Sequence, residues 1–409
     1  MKRIAIIGSG ISGLSAAYLL SFDNEVTVFE KDSRLGGHTA TVDVENGRES
    51  LAVDTGFIVF NNRTYPRFMA LLDKIGVGRQ PTEMSFSVQN RATGLEYNGH
   101  NLDTLFAQRK NLLSPRFWML VRDILRFNKR CKQLHTEANI PDITLGEFLH
   151  KEKFSTYFSE HYILPMGAAI WSSSLAEMEK FGLPFFIRFF ENHGLLDIKN
   201  RPQWYVIPGG SRSYIEPLTA SFKERIRLNT TIERIERREH GVQLTLAGGD
   251  TESYDELVMA CHSDQALALL GENATASERE ILGAIPYSAN SVVLHTDTTL
   301  LPRHSKAWAS WNYQLQPDRN RPASVTYNMN ILQGIDSEQT YCVTLNQDES
   351  INPDSILNRF VYQHPVFNEK SLAAQTRRPE ICGQNHTHYA GAYWYNGFHE
   401  DGVHSACDI

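Results

Sequence analysis

The chain has 409 residues, a formal net charge of −7 and five cysteines. The acidic balance argues against a general nucleic-acid role, because phosphate backbones attract basic surfaces. The length allows two to three domains. Cys131, Cys261, Cys342, Cys382 and Cys407 are scattered, odd in number and never C-x-x-C, which speaks against a disulfide scaffold or a structural zinc and for a reducing compartment.

The chain opens on Arg3-Ile-Ala-Ile-Ile-Gly8, a β-branched run suited to a strand buried on both faces. Gly8, Gly10 and Gly13 follow as G-x-G-x-x-G, then a helix of small and aliphatic residues from Ser12 to Ser21. A second strand runs from Glu25 to Glu30. The motif alone often marks only a turn. With strand, helix and terminal acid in register it reads as a dinucleotide site, with Ile11 and Ser12 opening the helix and Lys31 following Glu30. The helix N-terminus offers free N–H groups to phosphates, and Glu30 offers a carboxylate to ribose hydroxyls. Because the chain opens on this strand, no signal peptide is expected in front of it. No apolar run reaches transmembrane length, and a cytoplasmic location is expected.

Arg34-Leu-Gly36-Gly37-His38-Thr39 comes next, then Asp54-Thr55-Gly56-Phe57 after a strand-like Glu49 to Val53. Paired glycines let backbone run against a ligand, and Arg34 is placed to reach a phosphate. Further on, Arg67 to Ile75 reads as a helix and Ser85 to Gly99 as a hairpin around Asn90 and Gly94. Residues 102–200 are mostly helical. Pro208-Gly209-Gly210 opens a helix from Ser213 to Phe222. Short strands follow at 226–228, 231–237 and 242–246, then one apolar strand from Tyr254 to Cys261 and a helix through Leu270. The stretch 285–379 is read as strand-dominated. His388 to Ala392 reads as a strand, and Gly397 to Val403 as the turn into a final helix.

This order of motifs resembles the flavin monooxidase superfamily of monoamine oxidases, protoporphyrinogen oxidases and phytoene desaturases, strongly at both ends of the chain. The resemblance implies an α/β fold, in which a Rossmann-type FAD-binding domain carries an inserted mixed α+β substrate domain. The FAD-binding part would comprise 1–80, 204–284 and 380–409, and the substrate domain 81–203 and 285–379. FAD is the implied cofactor, bound non-covalently, since no cysteine is expected beside the flavin-facing segments. Arg34 to Thr39 would lie along it and Asp54 to Phe57 near its ring. Ile232 would sit on the adenine side, with Gly391, Gly402 and Val403 closing the site. The final helix would face its positive end to the ring. The sequence stops at Ile409, a few residues into that helix, where relatives run on, so a truncation that weakens FAD retention is an expectation here.

Only one G-x-G-x-x-G is present, so no second nucleotide domain is expected. Many amine oxidases hold a lysine on a substrate-domain strand; its place falls near Asn290 or Ser291, with no lysine nearby. His295, on the same strand, and Tyr393 and Tyr395, before the final turn, are the candidate catalytic residues. Core packing is the alternative for each. His386, His388, His399 and His404 match no metal-ligand spacing, and no metal is expected.

The segment from Arg116 to Leu134 puts Phe117, Leu120, Ile124, Phe127, Cys131 and Leu134 on one helix side. Arg122, Arg126, Lys129 and Arg130 lie on another. Such a helix suits peripheral membrane contact, or simply a solvated face. Phe185, Phe186, Phe189 and Phe190 form a second apolar patch, for core, tunnel or membrane.

In closest detail the chain resembles bacterial FAD-binding oxidoreductases that accompany cyclopropane-fatty-acid synthases, through His295-Thr-Asp-Thr, Trp308-Ala-Ser-Trp-Asn-Tyr313 and Gly397-Phe-His-Glu-Asp-Gly402. That implies redox chemistry on an unsaturated, methylated or cyclopropane acyl lipid, a hydrophobic substrate. Two alternatives stand beside it: an amine oxidase releasing peroxide, and a non-catalytic flavin-binding partner subunit.

Overall fold

The computed structural model describes residues 1–47 and 49–409. One half of it is built on a five-stranded, all-parallel sheet. The spatial order is Ile226–Arg227, Glu25–Phe29, Arg3–Ile7, Glu256–Met259 and Thr387–Tyr389. Arg3–Ile7 is central: Ala5 pairs with Thr27 on one side and Leu257 on the other, and Ala5 and Ile6 are fully buried. That is the environment its unbroken β-branched run calls for. The helix Ile11–Leu20 follows the glycine loop, and the closing helix His399–Cys407 packs against it. Gly402 makes that approach possible, since a Cβ there would stand 2.6 Å from Ile11 Cγ2.

Two elements differ from the sequence reading. The expected strand from Tyr254 to Cys261 is two strands, broken at Asp255. Thr251–Tyr254 closes a small antiparallel sheet with Ile232–Arg238 and Gly241–Leu246, while Glu256–Met259 joins the parallel one. Asp255 makes the break by accepting a 2.6 Å hydrogen bond from the Arg3 backbone N–H. The expected helix from Ser213 to Phe222 is a tight turn, Ser211–Tyr214, followed by the short helix Ile215–Thr219. Pro217 has no N–H to give the Ser213 carbonyl, so a regular helix cannot start there.

The other half is a seven-stranded sheet that brings the hairpin Phe86–Asn90 and Leu95–Asn98 beside strands from 287–365. Phe86–Asn90 pairs in parallel with Trp311–Gln314, so residues more than two hundred positions apart share one surface. The helices of 102–200 cover it through a core that includes Val88, Tyr97, Phe117, Phe127, Phe186, Phe190 and Val325. Three of the four phenylalanines of the apolar patch, Phe186, Phe189 and Phe190, are buried, so these three face the interior rather than a membrane. No helix among the described residues is long and apolar enough to cross a membrane.

Candidate functional site

Parallel strands of an open α/β sheet deliver their following loops to one edge, where a crevice forms. Here those loops are Gly8–Gly10, Glu30–Asp32, Ala260–His262 and Gly391–Tyr393, and all of them line one cavity of about 1030 Å³. The cavity continues beneath the helices and the large sheet, between Met166, Trp171, Phe189, Trp311, Tyr362 and Phe398.

At the sheet end the loop is built for a ligand that runs along backbone. A Cβ on Gly10 would meet nothing within 4 Å, whereas a Cβ on Gly13 would stand 2.0 Å from the Gly8 carbonyl oxygen. The first position therefore faces open cavity and the second is a contact of helix on strand. The first N–H groups of Ile11–Leu20 have no partner within the helix, as at every helix start, and no acidic residue sits in its first turn. Glu30 accepts from Ser9 N–H (2.9 Å) and Ser9 Oγ (2.6 Å) through Oε2, and from Asp32 N–H (3.0 Å) through Oε1. A carboxylate has about four lone-pair sites, so capacity remains on the cavity side.

Four buried polar atoms on the wall have no hydrogen-bond partner among the described residues: His38 Nε2, Trp171 Nε1, Trp311 Nε1 and Tyr393 Oη. Orphaned buried polar groups are costly and mark where ligand atoms would pair. With the open backbone at Gly10 they fit a long, mixed polar and apolar group such as FAD at one end and a second molecule at the other.

Among the residues expected to hold the cofactor, Gly8, Gly10, Ile11, Ser12, Glu30, Lys31, Arg34, Gly36, Gly37, His38, Thr55, Gly56, Phe57, Ile232 and Gly391 lie on the cavity wall. The Arg34 guanidinium also donates to the carbonyls of Gly37 (2.7 Å) and Thr39 (3.0 Å), and so shapes its own loop. Five residues do not reach the wall. Gly13 and Gly402 are packing glycines, and Val403 is buried in the core around the parallel sheet. Thr39 is buried and bonds to Tyr214 Oη and to His399 Nε2. Asp54 is wholly enclosed, accepting from Thr41 Oγ1 (2.6 Å), Ser211 N–H (2.8 Å) and Gln333 Nε2 (3.2 Å). Burial pushes its carboxyl up to about 6. It ties the 49–54 strand to the turn after Gly210 instead of touching a ligand.

The candidate catalytic residues separate. Tyr393 is on the wall. Tyr395 is off it, bonded to Asp408 and stacked on His404 near the far end of the closing helix. His295 is fully buried in the large sheet, with Nε2 2.7 Å from Thr344 Oγ1 and Nδ1 accepting from Asp297 N–H. Burial drives its pKa down to about 4, so it is a neutral core residue without access to the cavity.

Several wall residues carried no sequence signal. His262 follows the strand Glu256–Met259, and its place at the end of a parallel strand was the one available hint. It stacks on Tyr287 at 4.5 Å and faces His38, which in turn lies 5.6 Å from His364. Burial lowers the pKa of His38 to about 3 and of His364 to about 4, keeping this cluster uncharged. Cys261 also lines the cavity, contrary to the expectation that no cysteine would lie beside it. Burial holds its thiol up at about 12. His399 stacks on Phe57 with centroids 3.5 Å apart. At the helix start before His399, Asp401 accepts from Phe398 N–H at 2.8 Å. With Glu400 beside it, Asp401 offsets the positive helix end expected to face the ring.

Residues 11–334 match the family described as flavin containing amine oxidoreductase. A Mycobacterium tuberculosis protein described as a flavin-containing monoamine oxidase is 26 % identical over 255 residues, covering 61 % of this chain and 55 % of its own length. The chain thus spans about half of that relative. Cyclohexylamine oxidase from Brevibacterium oxydans superposes with a TM-score of 0.70 at 16 % identity, over 100 % of this chain and 97 % of the other. A CLA-producing fatty acid isomerase from P. acnes does so with the same score, identity and coverage. At such identity these two describe the fold. The family match covers most of the chain, and the chain belongs to the flavin-containing amine oxidoreductase family, whose cofactor is FAD.

Proposed function

We propose that this chain is an FAD-dependent oxidoreductase acting on an apolar acyl chain that is unsaturated, methylated or cyclopropane-bearing. Residues 1–80, 204–284 and 380–409 form its cofactor unit, and 81–203 with 285–379 its substrate unit. The wall residues from the glycine loop, Glu30, the Arg34–His38 loop, Thr55–Phe57, Ile232 and Gly391 hold the cofactor. When bound, FAD supplies a hydride acceptor. The chain's own contribution is a dry, shaped slot.

The observation that carries this reading is the charge of the wall. Among the described residues its carboxylates are Glu30 and Asp32, both at the nucleotide end. Beneath the helices the lining is Met166, Ile170, Trp171, Phe189, Leu195 and Phe398, and the one formal charge there is the cation Arg201. A protonated amine entering this part would lose its water and meet no carboxylate on this lining, since Glu191, Glu400 and Asp401 line the adjoining pocket that shares His193, Asn396 and Phe398. An acyl chain would lay its apolar length against Met166, Ile170, Phe189, Leu195 and Phe398, its acidic head toward Arg201. The similarity to a fatty acid isomerase in fold is compatible with this.

Amine oxidation is the second reading, favoured by the aromatic wall and by the description of the M. tuberculosis relative. Anaerobic mixing of the FAD-loaded protein with unsaturated and cyclopropane fatty acids, and separately with primary amines, distinguishes the two. Bleaching of the flavin band by an acyl substrate is expected. Bleaching by amines alone, with peroxide on aeration, would overturn the acyl reading, and bleaching by neither would favour a non-catalytic subunit.

A further inference from the structure

The helix Pro115–Thr136 is the longest among the described residues. Its buried side is settled: Phe117, Leu120, Phe127, Cys131 and Leu134 are in the core, and Phe117 packs edge-on against Tyr97, a cavity-wall residue. The opposite side is unusual. Trp118, Arg122, Leu125 and Lys129 follow one another at i, i+4, i+7 and i+11, so they form a single stripe. Trp118 and Leu125 are 48 % and 49 % exposed.

The stripe continues into the preceding turn. Leu113 is 89 % exposed and Leu112 45 %. Trp118 Nε1 donates to the Leu112 carbonyl at 2.8 Å, which fixes the turn beside the helix. Of the four basic residues grouped by the sequence reading, two are engaged elsewhere. Arg126 donates to the Lys153 carbonyl and lies over the Phe154 ring, and Arg130 pairs with Glu152. Lys110, Arg116 and Lys129 have no ion-pair partner among the described residues, and Arg122 contacts only Asp123 at 3.5 Å. Residues 109–130 hold seven Lys and Arg against one acid, Asp123, in a chain whose net charge is −7.

We propose that this face, built from Leu112, Leu113, Trp118 and Leu125 with Lys110, Arg116, Arg122 and Lys129, docks the protein onto an anionic lipid surface. The charge selects the occupant. A cationic patch on an acidic protein is attracted to anionic headgroups while the rest of the chain is repelled, which orients the molecule. Exposed leucines and an indole at the same level suit the headgroup–acyl boundary. A second copy of this chain would place two like-charged stripes together. The inference stands on the surface alone and holds whatever the cavity oxidises.

The test is co-sedimentation of the FAD-loaded chain with vesicles of phosphatidylcholine alone or mixed with phosphatidylglycerol. Binding to the mixed vesicles only is expected, weakening at least about tenfold as salt rises from low to several times physiological strength. Arg122→Gln with Lys129→Gln should lower the affinity about tenfold or more. Leu113→Glu with Trp118→Glu should abolish binding even at low salt. All four positions are exposed and away from the cavity wall, so flavin content should stay at the wild-type value and report that the fold is intact. Equal recovery in the supernatant with both vesicle types would overturn the proposal. So would self-association that Leu113→Glu with Trp118→Glu removes, in the absence of vesicle binding.

Discussion

Ser9 and Glu30 are bound together twice: the Glu30 carboxylate takes both the backbone N–H and the hydroxyl of Ser9, at 2.9 and 2.6 Å. The acid at the end of the second strand thus holds the glycine loop in shape as well as facing the cavity. Glu30→Ala removes both, leaving loop donors and cofactor hydroxyls unpaired. A loss on the order of 1–3 kcal/mol is expected, about one to two decades in FAD affinity. Ser9→Ala should cost less, since the backbone N–H remains. Titrating apo-protein with FAD measures both, and an unchanged affinity for Glu30→Ala would place the ribose elsewhere.

Gly10 and Gly13 should fail in opposite ways. Gly10→Ala adds a methyl into open cavity, so the protein should fold with an unaltered unfolding temperature and lose FAD affinity by at least about tenfold. Gly13→Ala sets a methyl against the Gly8 carbonyl oxygen and should cut soluble yield. If Gly10→Ala keeps full affinity, the ligand does not run along this loop.

FAD should leave the denatured protein intact. Among the described residues Cys261 is the one thiol on the wall, and burial keeps it protonated far above neutral pH, so it is a poor nucleophile toward a flavin. Precipitation and filtration should put all the flavin in the filtrate. Yellow colour remaining with the pellet would show a covalent bond.

Acid should destabilise the fold. Burial holds His38 at about 3, His193, His295 and His364 at about 4, and His399 well below its usual range. The unfolded chain protonates these rings below about pH 6.5, so stability is fully present above that value and falls as the pH drops. One unit lower each ring costs about 1.4 kcal/mol. Asp54 and Asp401, raised by burial to about 6 and about 7, act in the opposite direction, since their folded forms gain protons first. Five rings outweigh two carboxyls. Urea midpoints at pH 7.5 and 5.5 should therefore differ, the lower pH being weaker. His295→Asn should flatten the dependence by about one proton while leaving the flavin spectrum unchanged. Equal midpoints at both pH values would refute the neutral-ring account.

The sequence by itself determined the opening of the parallel sheet, because its information there is local. Arg3 to Glu30 is a strand, a glycine loop, a helix and a second strand, each set by neighbours a few residues away. The hairpin around Gly94 and the apolar side of Pro115–Thr136 were legible for the same reason. What only the tertiary structure decided came from contacts across hundreds of residues. Asp54 looked like a ligand residue until Ser211 and Gln333 closed over its carboxylate. His295 and Tyr393 looked alike as candidates, yet Thr344 enclosed one and the cavity took the other. His364 had no signal and His262 only its place after a strand, because their meeting with His38 depends on three separate elements converging on one wall. Periodicity assigns a residue to a face; which element covers that face is fixed only when the whole chain packs.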